Sequence, residues 1–329
     1  MHIPDGLMAP VVSLIGWIEF LVVFAAILLL SGKKIKEKNL PRVAILSAGI
    51  FVAQMLNFPI GGGTTGHLVG GALFAMICGP AIAIIGMTVV LLVQGLMFGD
   101  GGITALGLNA INMAIIAPLI GWGVYSLLNG LSAKKTVPGK AVKGIIVGAA
   151  AWASVFVAAA ACAGELAVSY AVSSGTFGIA ATVAVPAMLG VHAIIGVGEA
   201  LISAGVMLYL WSVSPGSITT IDKRAKALPG WKGVLSGTTA RAVTAILIVF
   251  ALTLPLYFLY ASQGRDGLEK TMQDAGTAGE KPLISTPFSY GQNYFSALFA
   301  GILGFLAVAL GAAGILRLAR MRTTRETGP

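Results

Sequence analysis

Residues 10–42 read PVVSLIGWIEFLVVFAAILLLSGKKIKEKNLPR. The run 10–31 carries a single charge, Glu19, and the segment 32–42 then delivers Lys33, Lys34, Lys36, Lys38 and Arg42. About 20 apolar residues cross a ~30 Å hydrocarbon core as a helix. A span that ends in a basic loop ends in the cytoplasm, because Lys and Arg are retained on that side. This stretch therefore predicts a membrane crossing and its direction together.

The remainder of the chain agrees. Of its 329 residues 57% are hydrophobic and only 10% charged, against about 25% charged in a soluble domain. That balance excludes a soluble enzyme, a disordered chain and a coiled coil, and it predicts an all-α polytopic membrane protein. The 44 glycines suit close helix packing in lipid. A net charge of +9 does not point to nucleic acid, because the basic residues sit in loops. Cys78 and Cys162 lie in apolar runs and form neither a disulfide framework nor a C-x-x-C pair.

Apolar runs fall at 10–31, 42–58, 68–79, 81–98, 103–130, 144–172, 183–211, 236–262 and 293–316. They predict about nine transmembrane helices, seven plus two. The third run is short and ends at Gly79-Pro80, so a half-span or tilted helix is expected there. Basic residues cluster in 32–42, in 131–143 (Lys134, Lys135, Lys140, Lys143), in 212–241 (Lys223, Arg224, Lys226, Lys232, Arg241) and in the tail (Arg317, Arg320, Arg322, Arg325). These segments hold eighteen of the 21 basic residues and alternate along the spans. They place the amino terminus outside and the carboxyl terminus in the cytoplasm. Residues 212–235 are polar, basic and Pro/Gly-punctuated, and read as a cytoplasmic linker. The expected organisation is a seven-helix domain over 1–211, the linker 212–235, and a two-helix part over 236–329 with an outside loop at 263–292. No basic n-region or A-x-A site precedes the first span, so a mature chain beginning at Met1 is expected.

That terminus, Met1-His2-Ile3-Pro4-Asp5-Gly6, is a chelate in sequence form. The α-amine and the His2 amide nitrogen close a five-membered ring on a cation; the amide and the His2 Nδ1 close a six-membered one. Three nitrogens in a plane suit Ni(II) or Cu(II), with Co(II) also accommodated, and they penalise tetrahedral Zn(II). The fourth corner needs a nitrogen on the same side of the membrane. His67, ending Pro59-Ile60-Gly61-Gly62-Gly63-Thr64-Thr65-Gly66-His67, is on that side by the charge pattern. The competing reading is an incidental His2 on a frayed terminus.

Polar residues within spans are costly and often functional. Gln54 and Asn57 share a helical face, as do Asn109 and Asn112, and His192 and Glu199. Asn57, Asn109, Asn112, His192 and Glu199 are candidates for a second layer that orients the ligating imidazoles; interhelical adhesion is the alternative. Asp100 sits in the outer Gly99–Gly102 loop, and Glu19 and Glu165 are lone acids without an assigned role. The small-residue run 148–161 permits close approach of another helix, internal or from a partner. Walker A, G-x-S-x-G, H-E-x-x-H and Rossmann patterns are lacking, so ATP hydrolysis would belong to another chain.

Several of these motifs together resemble the CbiM/NikM family, the substrate-capture components of energy-coupling-factor nickel and cobalt importers. They are Met1-His2-Ile3-Pro4-Asp5-Gly6, Gln54-Met55-x-Asn57-Phe58-Pro59-Ile60, Gly66-His67-Leu68-x-Gly70-Gly71, Asp100-Gly101-Gly102-Ile103-Thr104 with Asn109 and Asn112, and His192 with Glu199. The likeness covers about residues 1–211. Asp266-Gly267-Leu268-Glu269 between the last two spans is similar to the small NikN-type component, although Arg265 stands where that motif usually has proline. The whole chain thus resembles a NikM–NikN fusion. The resemblance implies planar coordination by Met1, His2 and His67, no resident cofactor, and partners comprising a transmembrane coupling component and cytoplasmic ATPase subunits. It implies a non-enzymatic transport component of the cell (inner) membrane. A stand-alone secondary nickel or cobalt transporter or channel is the alternative, and an intramembrane metal enzyme a remoter one.

Overall fold

The computed structural model describes residues 1–31, 40–61, 64–133, 139–213, 265–277, 285–291 and 293–325. The expected linker 212–235 lies almost wholly outside these residues, as does the eighth apolar run, 236–262.

The described chain is mostly helical. Helix α1 (Pro10–Ser31) is followed by α2 (Leu40–Gln54), the strands β1 (Phe58–Gly61) and β2 (Thr64–Gly66), and α3 (Gly71–Cys78). Helix α4 (Pro80–Val93) runs on through a π-helical turn, Gln94–Phe98. Helix α5 (Leu106–Ala110) passes through a second π-helical stretch, Ile111–Ile116, into α6 (Ala117–Ala133). Two 33-residue helices follow, α7 (Lys140–Val172) and α8 (Ala181–Val213). Then come β3 (Arg265–Asp266), α9 (Gly267–Asp274) and α10 (Tyr294–Arg325).

Among the described residues six helices are long and apolar enough to cross a membrane. The second and third apolar runs are shorter as helices than as sequence. Helix α2 stops at Gln54 because Asn57-Phe58-Pro59 turns the chain into a strand. Helix α3, at 8 residues, reaches about 12 Å, the half-span foreseen from Gly79-Pro80. All eight of its residues are buried.

The all-helix expectation needs one correction. Strands β1 and β2 form an antiparallel hairpin with Pro59 opposite Thr65, and β3 adds in parallel with Thr64 opposite Arg265 and Thr65 opposite Asp266. Each strand has at most four residues, too few for an alternating pattern to register in an apolar sequence. The sheet gives main-chain polar groups partners within a loop that enters the bundle, where water cannot serve them.

Small residues set the helix spacing. Gly144 and Gly148 of α7 face Leu208 and Ala200 of α8, and Gly196 of α8 faces Trp152 of α7. The run 148–161 is thus used internally. Trp152 Nε1 also donates to the Ala193 carbonyl at 3.0 Å. Helix α10 lies along α2 with Gly304 against Phe51. Outward-facing Leu14, Ile18, Leu21, Ile145, Leu201 and Leu310 are exposed, as lipid contact requires.

Candidate metal-capture site

The amino terminus is not frayed. Met1 and Ile3 are 3% and 0% exposed, and Asp5, Leu7, Met8 and Ala9 are buried with them. The arm is threaded into one end of the bundle by a series of main-chain contacts. Ile3 N–H donates to Asn109 Oδ1 at 2.8 Å, and Asn109 Nδ2 returns a bond to the Ile3 carbonyl at 3.1 Å. Gly102 N–H donates to the same carbonyl at 2.8 Å. Thr104 donates twice to Asp5 Oδ1, from N–H at 2.9 Å and from Oγ1 at 2.7 Å. Gly178 N–H donates to the Leu7 carbonyl, and Ala9 N–H to Ser169 Oγ, at 2.7 and 2.8 Å. A side chain on Gly102 would run into the Pro4–Asp5 backbone, so the absence of a Cβ is what admits the arm.

These anchors bring His2 and His67 together. Their rings stack with centroids 5.2 Å apart and planes 29° from parallel. His67 Nδ1 bonds the Leu68 carbonyl at 3.0 Å. A proton held there leaves the Nε2 lone pair for a ligand. Burial, the nearby Met1 ammonium and the His2 ring push the His67 pKa down to about 4, so near neutral pH the ring is uncharged. His2 Nε2 lies 3.3 Å from Gln94 Oε1. Gln94 Nε2 donates to Gln54 Oε1 at 2.8 Å, and Gln54 Nε2 donates to the Val69 carbonyl at 2.7 Å. This amide relay joins the His2 ring to the loop that carries His67. The π-helical turn that begins at Gln94 belongs to the same place, as π-bulges commonly do.

Glu199 holds the loop from the other side. Its two carboxylate oxygens accept from Val69 N–H and Gly70 N–H, each at 2.8 Å, at the start of α3. A carboxylate suits that helix end. His192 does not pair with Glu199. Its Nδ1 bonds the Met188 carbonyl one turn back at 2.8 Å, and its ring borders the small space between Met1, His67 and Asp266. Asn112 turns to Glu165 at 2.7 Å, which gives that acid a partner. Asn57 lies half-buried between α2 and β1; its face-mate Gln54 is the residue in the relay.

Two contributors were not foreseen as site residues. Gln94 is a lone amide in an apolar span. Asp266 comes from the far end of the chain, with its Oδ2 3.5 Å from the Met1 amine. Asp266 caps α9, accepting from Glu269 N–H at 2.7 Å, while Glu269 Oε2 accepts from Asp266 N–H at 2.9 Å. The pattern Asp-x-x-Glu is a capping-box signature, so the cap was legible and the ion pair was not. Burial opposes ionisation of Asp266, but the Met1 ammonium, the Glu269 N–H and the imidazoles hold its pKa down at about 2. Gly267 packs against Val191 and His192, and Leu268, Thr271 and Met272 are buried beneath α9.

Asp100 completes the ring of polar groups, with Oδ1 3.2 Å from His2 Nδ1. A cavity of about 640 Å³ opens over His2, Asp100, Asp266 and Glu269. Among the described residues no three His, Cys, Asp or Glu side chains converge as a metal site.

An apolar helical bundle with its amino-terminal residues buried beside two imidazoles at one end defines a multi-pass membrane protein. The CbiM family profile, described as the cobalt uptake substrate-specific transmembrane region, matches residues 2–217, and the chain belongs to that family. A relative in Archaeoglobus fulgidus, provisionally named a fused nickel transport protein NikMN, is 35% identical over 97% of this chain and 99% of its own. The fused nickel transport protein NikMN of Rhodobacter capsulatus is 33% identical over 71% of this chain and 69% of its own. A crystal structure of a truncated transition metal transporter superposes with a TM-score of 0.57 and 37% identity, covering 64% of this chain and 99% of that one.

Proposed function

We propose that this chain is the substrate-capture subunit of an ATP-driven importer of the energy-coupling-factor type, and that its cargo is Ni(II) or Co(II). The cation is held by the Met1 amine, the His2 amide and Nδ1, and His67 Nε2. The observation that carries this reading is the stack of His2 on His67 beside a buried Met1 amine. This neighbourhood of two imidazoles and an amine supports the chelate reading, and the anchors of the arm would keep it in place.

In this reading the pocket faces outside and the basic loops face the cytoplasm. Residues 1–211 form the capture domain, 212–235 the cytoplasmic linker and 236–329 the NikN-like part with its outside loop 263–292, of which Asp266 lies at the pocket. The ion arrives over Asp100, Asp266 and Glu269, whose charges attract a cation. It displaces protons from the amine and the amide, so affinity falls at low pH. Asn109 fixes the arm, the Gln94–Gln54 relay fixes the His2 ring, and Glu199 fixes the His67 loop. His192 lies beneath Gly267 as packing. A transmembrane coupling component and cytoplasmic ATPase subunits supply the work of release to the inside. The two NikMN relatives favour nickel over cobalt.

The test is metal content and affinity of purified protein beginning at Met1, beside a form with one extra amino-terminal residue. Stoichiometric Ni(II) with a planar d–d absorption band, lost in the extended form, supports the chelate. Equal binding by both forms removes the terminus from the site. Uptake in cells with and without the ATPase subunits separates the importer from a stand-alone transporter.

A further inference from the structure

The proposed chelate requires His2 Nδ1, and Nδ1 is already engaged: Asp100 Oδ1 stands 3.2 Å away. A cation that takes this nitrogen must take it from Asp100. The other oxygen of that carboxylate, Oδ2, accepts a hydrogen bond of 2.9 Å from the Tyr290 hydroxyl. Tyr290 belongs to the carboxy-terminal part, 190 residues away in sequence. Its position is over-determined. The ring stacks on Phe98, with centroids 5.1 Å apart and planes 23° from parallel, and meets Phe51 edge-on at 6.3 Å. Two residues earlier, Phe288 N–H donates to the Met97 carbonyl at 3.1 Å. The segment 286–290 is thus fastened to the loop that carries Asp100, at a point distinct from the β3–α9 arm and its Asp266–Met1 contact.

We propose that Tyr290 is a positioning residue for metal loading: it aims the Asp100 carboxylate at the donor nitrogen of His2 and latches the chelating ring until the ion arrives. The latch belongs to the metal-free state, because the same nitrogen cannot face both Asp100 and the cation. The carboxy-terminal part then acts on both halves of the Met1–His2 chelate, through Asp266 on the amine and through Tyr290 and Asp100 on the imidazole. This inference rests on the chelate reading above.

The experiment is stopped-flow Ni(II) binding to the full chain in nanodiscs, comparing wild type, Tyr290→Phe, Asp100→Asn and the double variant. Phenylalanine keeps the stack on Phe98 and removes only the hydroxyl. A latch confined to the metal-free state predicts an association rate raised roughly tenfold, the low end of the worth of one hydrogen bond to a charged group, with an unchanged dissociation rate. A residue that merely supports the fold would not split the two rates in this way. In the Asp100→Asn background the effect of Tyr290→Phe shrinks to what passes through the hydroxyl's second contact, Gln94. An unchanged association rate, a faster dissociation rate, or an effect that persists undiminished beside Asp100→Asn overturns the proposal. Wild-type protein that fails to bind Ni(II) tightly overturns the chelate reading instead, so the two failures are distinguishable.

Discussion

Two arms meet at the Met1 amine from opposite ends of the chain, and they are held by different physics. The amino-terminal arm, residues 1–9, is fixed by directed hydrogen bonds to Asn109, Gly102, Thr104, Gly178 and Ser169, those to Asn109 and Ser169 buried and those to Thr104 part-buried. The carboxy-terminal arm, residues 265–274, is fixed by one two-residue strand pairing, one ion pair to Met1 and the packing of the buried Leu268 and Met272. Buried hydrogen bonds are costly to break singly, because each leaves an unsatisfied group. An ion pair and a short strand beside an open cavity separate more readily, since water can take over their partners. The first arm is therefore scaffold, and the second is suited to cover and uncover it.

The comparison breaks most directly at the terminus itself. One added residue, or His2→Ala, is expected to weaken Ni(II) binding by more than about a thousandfold, read by isothermal titration. Retention of wild-type affinity by both would mean that the first arm is not part of the site.

Next in size is Asn109→Leu. It removes both side-chain bonds to Ile3 and strands a buried N–H, a loss of roughly 2–4 kcal/mol, with metal affinity falling about 10–100-fold. Thermal unfolding in detergent and metal titration check both. Gly102→Ala should act in the same direction by pushing the Pro4–Asp5 backbone aside.

A third expectation concerns pH. The His67 pKa falls in the fold from 6.5 to about 4, so the unfolded chain binds more protons between those values. The stabilisation is complete above about pH 6.5 and is lost as pH falls toward 4, by an amount on the order of 2–3 kcal/mol. His67→Gln should flatten the melting temperature across that window. Asp266 acts lower: its stabilisation is present above about pH 3.8 and is lost toward pH 2. A wild-type profile that is flat from pH 6.5 to 4 would contradict the burial of a neutral His67.

The smallest effect is expected from the second arm. Asp266→Asn keeps the α9 cap acceptor and removes the charge facing Met1. It should change affinity by less than about tenfold, mainly through the association rate. An Asp266→Asn loss as large as that of Asn109→Leu would erase the distinction between scaffold and cover.

Much of this was legible in the chain because lipid makes harsh demands on sequence. Apolar run length gave the long helices to within a few residues at most ends, and Gly79-Pro80 marked the break between α3 and α4. The pairing of His2 with His67 followed from side-of-membrane logic together with the glycines before His67. The partners of the polar residues were far less legible. Asn109 and Asn112 share a helical face, yet one clamps Ile3 and the other bonds Glu165. Glu199 was grouped with His192 by spacing, yet it reaches the backbone of Val69 and Gly70 across the bundle. Periodicity assigns a residue to a face; it does not say what stands opposite.

The sequence by itself determined the class of the molecule, its long helices and the Met1-His2 donor spacing on which the proposed chelate rests. These are local properties: transfer free energy summed along a segment, and ring sizes set by adjacent atoms. Only the tertiary structure decided that this terminus is buried, that Gln94 and Gln54 link the His2 ring to the His67 loop, that three short strands meet in a helical protein, and that Asp266 and Tyr290 return from the far end of the chain to Met1 and Asp100. Those contacts join groups up to 265 positions apart, and no local pattern encodes them, because their partners become neighbours only once the helices have packed.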